Sequence, residues 1–373
     1  MKSATQMMTP AVSPPDDAVP HAWLAENLRN DSSWKHRLST SAIAGLETAL
    51  AHARAGNKRW FEMTADDFPM GQAARAEIGG AFASTQRGYG ACLLQGFPVE
   101  RWSADDCRLA QWGLGLHVGV ARPQNKMSEV MNDVRDVGAS YKVKGGRGYN
   151  TNAGLDFHVD SGDVVALLCL HQAPVGGDSL VASSLALRDE VERRRPDLLQ
   201  VLEEPFHFSH QDAGDPAKPP FYQCPIFSRR GEPFACRMNR KNVIAAHRDF
   251  PDRVPPMSSR QLEALDLLDE LMADGRFSYS MKLSQGDLQI LNNYVTVHSR
   301  TSFQDHADPA RKRHLLRLWL SLPNSQTLPR SSLEFYGDTR PGSVRGGNRG
   351  SHITPEFLSY EARQAQALGM KLG

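Results

Sequence analysis

Two residues separate His158-Val159-Asp160 from the run Asp163-Val164-Val165-Ala166-Leu167-Leu168-Cys169-Leu170, and the reading of this stretch decides the fold. The second run is apolar and rich in strand formers, which predicts a buried β-strand. It ends at Pro174 and the turn Gly176-Gly177-Asp178. Residues i and i+2 of an extended segment share a face, so His158 and Asp160 point into one pocket while Val159 turns into apolar packing. A further imidazole stands far downstream, at the end of Asn292-Asn293-Tyr294-Val295-Thr296-Val297-His298. Two imidazoles and one carboxylate can hold Fe(II) on one face and leave the opposite face open to a cosubstrate and oxygen.

The rest of the chain narrows the setting. A chain of 373 residues with 40% hydrophobic and 23% charged residues can bury a sizeable core. Its 43 basic and 42 acidic residues leave a net charge of +1, so no global field recruits nucleic acid or an anionic membrane. Twenty-three prolines and 30 glycines suit a turn-rich fold better than a helical bundle. The five cysteines are odd in number and scattered without a CxxC pair, which argues against a disulfide framework or a zinc knuckle and for a reducing compartment. The N-terminal residues lack an apolar signal core, and no apolar run is long enough to span a bilayer. A cytoplasmic protein with a small-molecule substrate is expected, with neither nucleic acid nor membrane as partner.

Residues 1–20 read as a loose polar tail, followed by a segment anchored by Trp23 and Trp34. Helices are expected over 40–55, with Leu46 and Leu50 on one face, over about 70–86, and from a Ser103–Asp106 cap to about 114. Gly90 to Leu94 forms a short strand between the last two. Beyond the buried strand, a helix from Ser184 to Arg195 ends at Pro196, and 205–220 is a Pro/Asp-rich loop. Short strands follow near 222–229 and 234–238. An amphipathic helix over 258–273 has a Ser258–Gln261 capping box and the stripe Leu262, Leu265, Leu268, Met272. Strands are expected over Phe277–Leu283, Leu288–Leu291 and Leu315–Leu320. A Gly/Arg-rich loop, Gly342–Gly350, and a helix over 355–368 close the chain. This pattern predicts a mostly β core, closed or double-sheeted, with helices packed outside.

With these residues in view, the chain resembles the Fe(II)/2-oxoglutarate-dependent dioxygenases of the taurine dioxygenase and 2,4-dichlorophenoxyacetate dioxygenase family, clavaminate-synthase-like enzymes included. The likeness covers roughly 85–325 and rests on four ordered matches. They are His158 and Asp160 as the HxD motif, the turn Gly176-Gly177-Asp178-Ser179, the stretch Gly286-Asp287, Asn293, His298, and two arginines four apart, Arg313 and Arg317. The resemblance implies a double-stranded β-helix (jelly-roll) core over 85–330 with a 205–275 loop and helix insertion. An N-terminal tail and helical extension, 1–84, packs on that core, and a C-terminal loop and helix occupy 331–373. It implies Fe(II) on His158, Asp160 and His298, with 2-oxoglutarate and O2 as cosubstrates. Arg313 would receive the distal carboxylate of 2-oxoglutarate, with the hydroxyl of Ser179 beside it, where Ser replaces the commoner Thr. Arg317 falls where relatives use an arginine near iron for an anionic substrate group or the C1 carboxylate of the cosubstrate. Arg313, Leu315 and Arg317 share one strand face, and a lone arginine among apolar residues must be paired if buried.

The implied reaction is oxidation of an unactivated C–H bond of a small, anionic or zwitterionic molecule, with release of succinate and CO2. Hydroxylation leads; desaturation, cyclisation and epoxidation stay open, and Asp160 argues against a halogenase. Relatives are often dimers, so a homo-oligomer is left open. Two other classes compete. One is a metal-dependent hydrolase or isomerase on a cupin-like barrel, which would not need Arg313; the other is a non-catalytic barrel binding a small anion. Lesser candidates are His171, His207 and His210 near the entrance, Asp156 and Asp163 flanking the HxD motif, Tyr149 and Asn152 ahead of it, and Arg135-Asp136 in a loop.

Overall fold

The strand expected after the HxD motif forms over Val164–His171 in the computed structural model, and its burial on both faces explains its continuous apolarity. The structure describes residues 19–140, 146, 148–211, 214–215, 217–350 and 352–373, so the expected loose tail lies, up to residue 18, outside the described residues. Val164–His171 sits centrally in a seven-stranded sheet, between Leu288–Asn292 and His314–Ser321, both antiparallel to it. Ala91–Gln95 and Lys35–Arg37 extend this sheet on one side, Val120–Ala121 and Met131–Val134 on the other. A second, four-stranded sheet runs in the order Ser278–Met281, Ser179–Ser183, Thr296–Arg300, Leu155–His158.

Strand alternation decides what each face packs against. From the large sheet, Ala166, Leu168, Leu170, Leu316, Leu318 and Leu320 point outward. They meet a helical layer that includes Thr40–Gly56, Gln72–Ser84, Ala104–Val118 and Pro355–Ala367. Val165, Cys169, Leu315 and Trp319 point the other way, into an inner core shared with Val181 of the small sheet. The outer face of the small sheet, Ala182 and Val297, is covered by Ser184–Arg194, Pro196–Leu202 and Ser259–Ala273. Two sheets thus face each other with helices on both outer sides, as the sequence predicts. Trp23 and Trp34 are buried, at 2% and 3% exposure, and do anchor the N-terminal segment.

Several expectations need correction. Residues 205–209 are strand, not loop: Pro205–Ser209 pairs antiparallel with Phe221–Pro225. The alternation of buried Phe206 and Phe208 around His207 carries that strand, and the prolines masked it. Pro196 ends one helix and also opens the next, because proline suits the first helical turn, where its missing N–H is not needed. A helix over Arg240–Asp249 was not anticipated; Asn239 caps it by accepting from the Asn242 amide. On Ser259–Ala273 the capping box forms, but Leu262 is 37% exposed, and Ala264 and Leu271 take its place on the buried face. Among the described residues no helix is long and apolar enough to cross a membrane.

Candidate active site

His158 ends its strand, and His298 is directly opposite it on the neighbouring strand. This register brings the two imidazole centres to 4.4 Å. Asp160 lies just past the strand end, its amide donating to Asn293 Oδ1 at 3.1 Å. Asn293 Nδ2 in turn donates to Gly162 O at 3.0 Å, so one side chain clamps the loop that carries the carboxylate. Val159 is buried among apolar residues on the far side, as the alternation required. Ligand atoms of His158, Asp160 and His298 all lie within 4.8 Å of one another. His298 Nε2 is 3.6 Å from Asp160 Oδ2, and His158 Nε2 is 4.0 Å from Asp160 Oδ1.

The protonation states suit a metal. Burial pushes the His298 imidazole down to about 3, and burial also lowers His158. Both rings are therefore neutral at pH 7, as ligation requires. Burial opposes ionisation of the Asp160 carboxyl, but the Arg317 guanidinium beside it leads the opposing causes, and the group stays below its ordinary value. His158 Nδ1 bonds the carbonyl of Asp156 at 2.9 Å, which orients the ring and leaves Nε2 free to coordinate. Asp160 Oδ2 and His298 Nδ1 are buried without a hydrogen-bond partner among the described residues. Unsatisfied buried donors and acceptors are rare in folded proteins, and an Fe(II) ion fits this set of two nitrogens and a carboxylate.

All six residues singled out in the sequence border one cavity: His158, Asp160, Ser179, His298, Arg313 and Arg317. Arg313 is 5% exposed; among the described residues its Nη1 has no partner and Nη2 reaches only the carbonyl of Gly177 at 3.5 Å. Gly177 has φ +75°, and a Cβ there would come within 2.9 Å of Arg313 Nε, so glycine alone leaves the guanidinium its place. Ser179 Oγ donates to Gln289 Oε1 at 2.9 Å, tying the small sheet to the large one across the cavity. Arg317 bonds Gln124 Oε1 through Nε at 2.8 Å and lies 3.4 Å from Asp160 Oδ1. Its guanidinium stacks over Trp319 and Tyr149, at 4.7 and 5.1 Å from the ring centres.

The lesser candidates divide. Tyr149 and His210 border the cavity, whereas Asn152 is exposed, and His207 bonds Gln223 Nε2 outside it. Asp163 is wholly buried behind the HxD loop, where it accepts from Tyr294 Oη, Arg345 Nε and the Leu322 amide. His171 lies opposite His314 where their two strands meet at their ends, and Asp136 turns back to the Gly138 amide. Sequence reading missed Gln124, Gln289 and Asn348, polar residues with no local signal. It also missed Arg237, which does carry one: a single charge within Ala235-Cys236-Arg237-Met238, the same pattern that marked Arg317.

A two-histidine, one-carboxylate cluster between facing antiparallel sheets defines a class, the non-haem iron oxygenases. Residues 57–319 match the family described as taurine catabolism dioxygenase TauD, TfdA family, and the chain belongs to it. Among curated proteins it is 28% identical to FR-33289 synthase of Streptomyces rubellomurinus, over 83% of this chain and 91% of that one. It is 25% identical to the taurine hydroxylase-like protein SAT17 of Stachybotrys chartarum, over 80% of this chain and 77% of that one. Among solved structures, an asparagine oxygenase in complex with Fe(II), 3-hydroxyasparagine and succinate superposes with a TM-score of 0.60. The two are 20% identical, over 77% of this chain and 94% of that one. The non-haem iron oxygenase OrfP with Fe and α-ketoglutaric acid gives 0.56, at 13% identity and the same coverage. The fold is similar to that of the jelly-roll iron oxygenases. The chemistry is that of an Fe(II)- and 2-oxoglutarate-dependent oxygenase using O2 and acting on a small substrate.

Proposed function

We propose that His158, Asp160 and His298 hold Fe(II), that Arg313 and Ser179 hold the distal carboxylate of 2-oxoglutarate, and that the enzyme hydroxylates an unactivated C–H bond of a small organic anion or zwitterion. One observation carries this reading. Asp160 Oδ2 and Nη1 of Arg313 are both buried without a hydrogen-bond partner among the described residues, and both side chains border the same cavity. Bound Fe(II) supplies the redox chemistry that couples O2 reduction and decarboxylation of 2-oxoglutarate to substrate oxidation.

The chain supplies position and charge. The Asp156 carbonyl keeps the Nδ1 proton of His158, so Nε2 faces the cavity as a lone pair. Arg317 keeps Asp160 ionised and, stacked between Tyr149 and Trp319, keeps water from that side of the carboxylate. Arg313 offers a planar fork to a carboxylate, and the Ser179 hydroxyl, which donates to Gln289 Oε1 in this structure, would turn its one proton to that carboxylate on binding. A hydrolase would have no use for a buried guanidinium aimed at a second anion, and the family match disfavours that class and the inert barrel alike.

We further infer that the two sheets close as a double-stranded β-helix over 85–330, with 1–84 and 331–373 as extensions packed on it. The superposition on the jelly-roll oxygenases supports this. Five free, buried cysteines support a reducing, cytoplasmic setting. The test is anaerobic Fe(II) and 2-oxoglutarate binding together with succinate release. His158→Ala is expected to abolish iron binding and succinate formation together. Unchanged Fe(II) affinity in that variant would overturn the ligand assignment.

A further inference from the structure

Arg237 is 3% exposed. Its Nε donates to Tyr222 Oη at 3.0 Å and its Nη1 to the carbonyl of Val159 at 3.2 Å. The guanidinium carbon lies 4.1 Å over the Phe335 ring and 5.8 Å from the rings of Phe208 and Tyr222. Among the described residues its hydrogen bonds are those two alone, neither is to a carboxylate, and Nη2 makes none. The side chain borders the active-site cavity. Packing between aromatic rings needs no charge, whereas a buried cation without an anion is costly. The position therefore asks for an anion that the described residues do not supply.

Its location says which one. Val159 stands between His158 and Asp160, so the group bonded to its carbonyl lies one peptide from both. Arg237 belongs to neither sheet; it follows the paired strands Pro205–Ser209 and Phe221–Pro225. Just beyond it, Asn239 caps the helix Arg240–Asp249, whose first turn brings Lys241 and Asn242 to the same cavity. A helix N-terminus adds partial positive charge to that wall.

We propose that Arg237 receives an anionic group of the substrate, a carboxylate or a tetrahedral oxyanion, and holds it a few atoms from the carbon that is oxidised. This rests on the oxygenase reading above, in which Arg313 is occupied by 2-oxoglutarate and the Arg237 wall is left to the substrate.

The test uses the full chain, loaded anaerobically with Fe(II) and saturating 2-oxoglutarate so that Arg313 is engaged. It is titrated by calorimetry with inorganic phosphate, methanesulfonate and acetate, and with dimethyl sulfone and acetamide as neutral counterparts. At least one anion binds the wild type and the neutral compounds do not; phosphate against acetate separates the tetrahedral from the planar group. Arg237→Met weakens that anion by about tenfold or more, while 2-oxoglutarate affinity stays within about twofold. Arg237→Lys, which keeps the cation, restores most of the binding. Should Arg237→Met fail to fold, Arg237→Gln, which keeps a donor toward Tyr222 Oη, gives the same comparison. The proposal is overturned if none of the three anions binds the wild type, or if the neutral variants bind them as tightly. Failure of the oxygenase reading shows separately, as wild-type protein that does not bind 2-oxoglutarate; anion titration of the iron-free protein then still decides the role of Arg237.

Discussion

Behind the HxD loop and in front of it, the fold treats buried arginine in opposite ways. Arg345, 1% exposed, gives Nε to Asp163 at 2.7 Å, Nη1 to the Arg340 carbonyl and Nη2 to the Gln326 carbonyl. Asp163 spends its remaining capacity on Tyr294 Oη and the Leu322 amide. Every group there is answered within the chain. In front, Arg313 and Arg237 are buried almost as deeply, yet neither meets a carboxylate among the described residues. Burial is alike in both regions, so burial does not mark function. The unanswered charge does.

The same substitution on the two sides should therefore fail differently. Arg345→Met strands Asp163 without a counter-charge and is expected to cost about 3–5 kcal/mol of stability in urea unfolding. Arg313→Met removes a charge that no carboxylate among the described residues pairs with directly, so stability should move by less than about 1 kcal/mol. Its Kd for 2-oxoglutarate should rise by about a hundredfold, read by titration of the anaerobic Fe(II) protein. Equal destabilisation by both variants would break the comparison. His210 sharpens it by pH. Burial, with Arg237 and Lys218 nearby, pushes its imidazole down to about 4. Between about pH 6.5 and 4 the unfolded chain binds a proton that the folded one refuses, so stability falls as pH drops through that window. The loss is about 1–3 kcal/mol, and His210→Gln should flatten it in unfolding experiments at pH 4.5 and 7. Ser179→Ala is the smallest effect expected, about a threefold rise in Kd for 2-oxoglutarate, because the hydroxyl only seconds Arg313.

Legibility followed the range of the signal. The strand Val164–His171, the capped helices and the His158–Asp160 alternation are local patterns, and each stands where its periodicity placed it. The strand Pro205–Ser209 and the helix Arg240–Asp249 were hidden because proline and charge obscure short amphipathic patterns. Asn348 was hidden for another reason. The C-terminal loop folds back onto the HxD loop, the Gly347 amide donating to the Ser161 carbonyl, and no local pattern announces a return over so many residues.

The sequence by itself determined the chemistry available: which side chains can ligate iron, which can fork to a carboxylate, and which strands present them on one face. These follow from residue type and a two-residue repeat. Only the tertiary structure decided the pairing. It set His298 opposite His158, held Ser179 on Gln289 across the cavity, gave Arg345 its carboxylate and left Arg237 and Arg313 without one among the described residues. Whether a buried charge is answered depends on residues brought together from distant parts of the chain, and spacing along the chain does not carry that information.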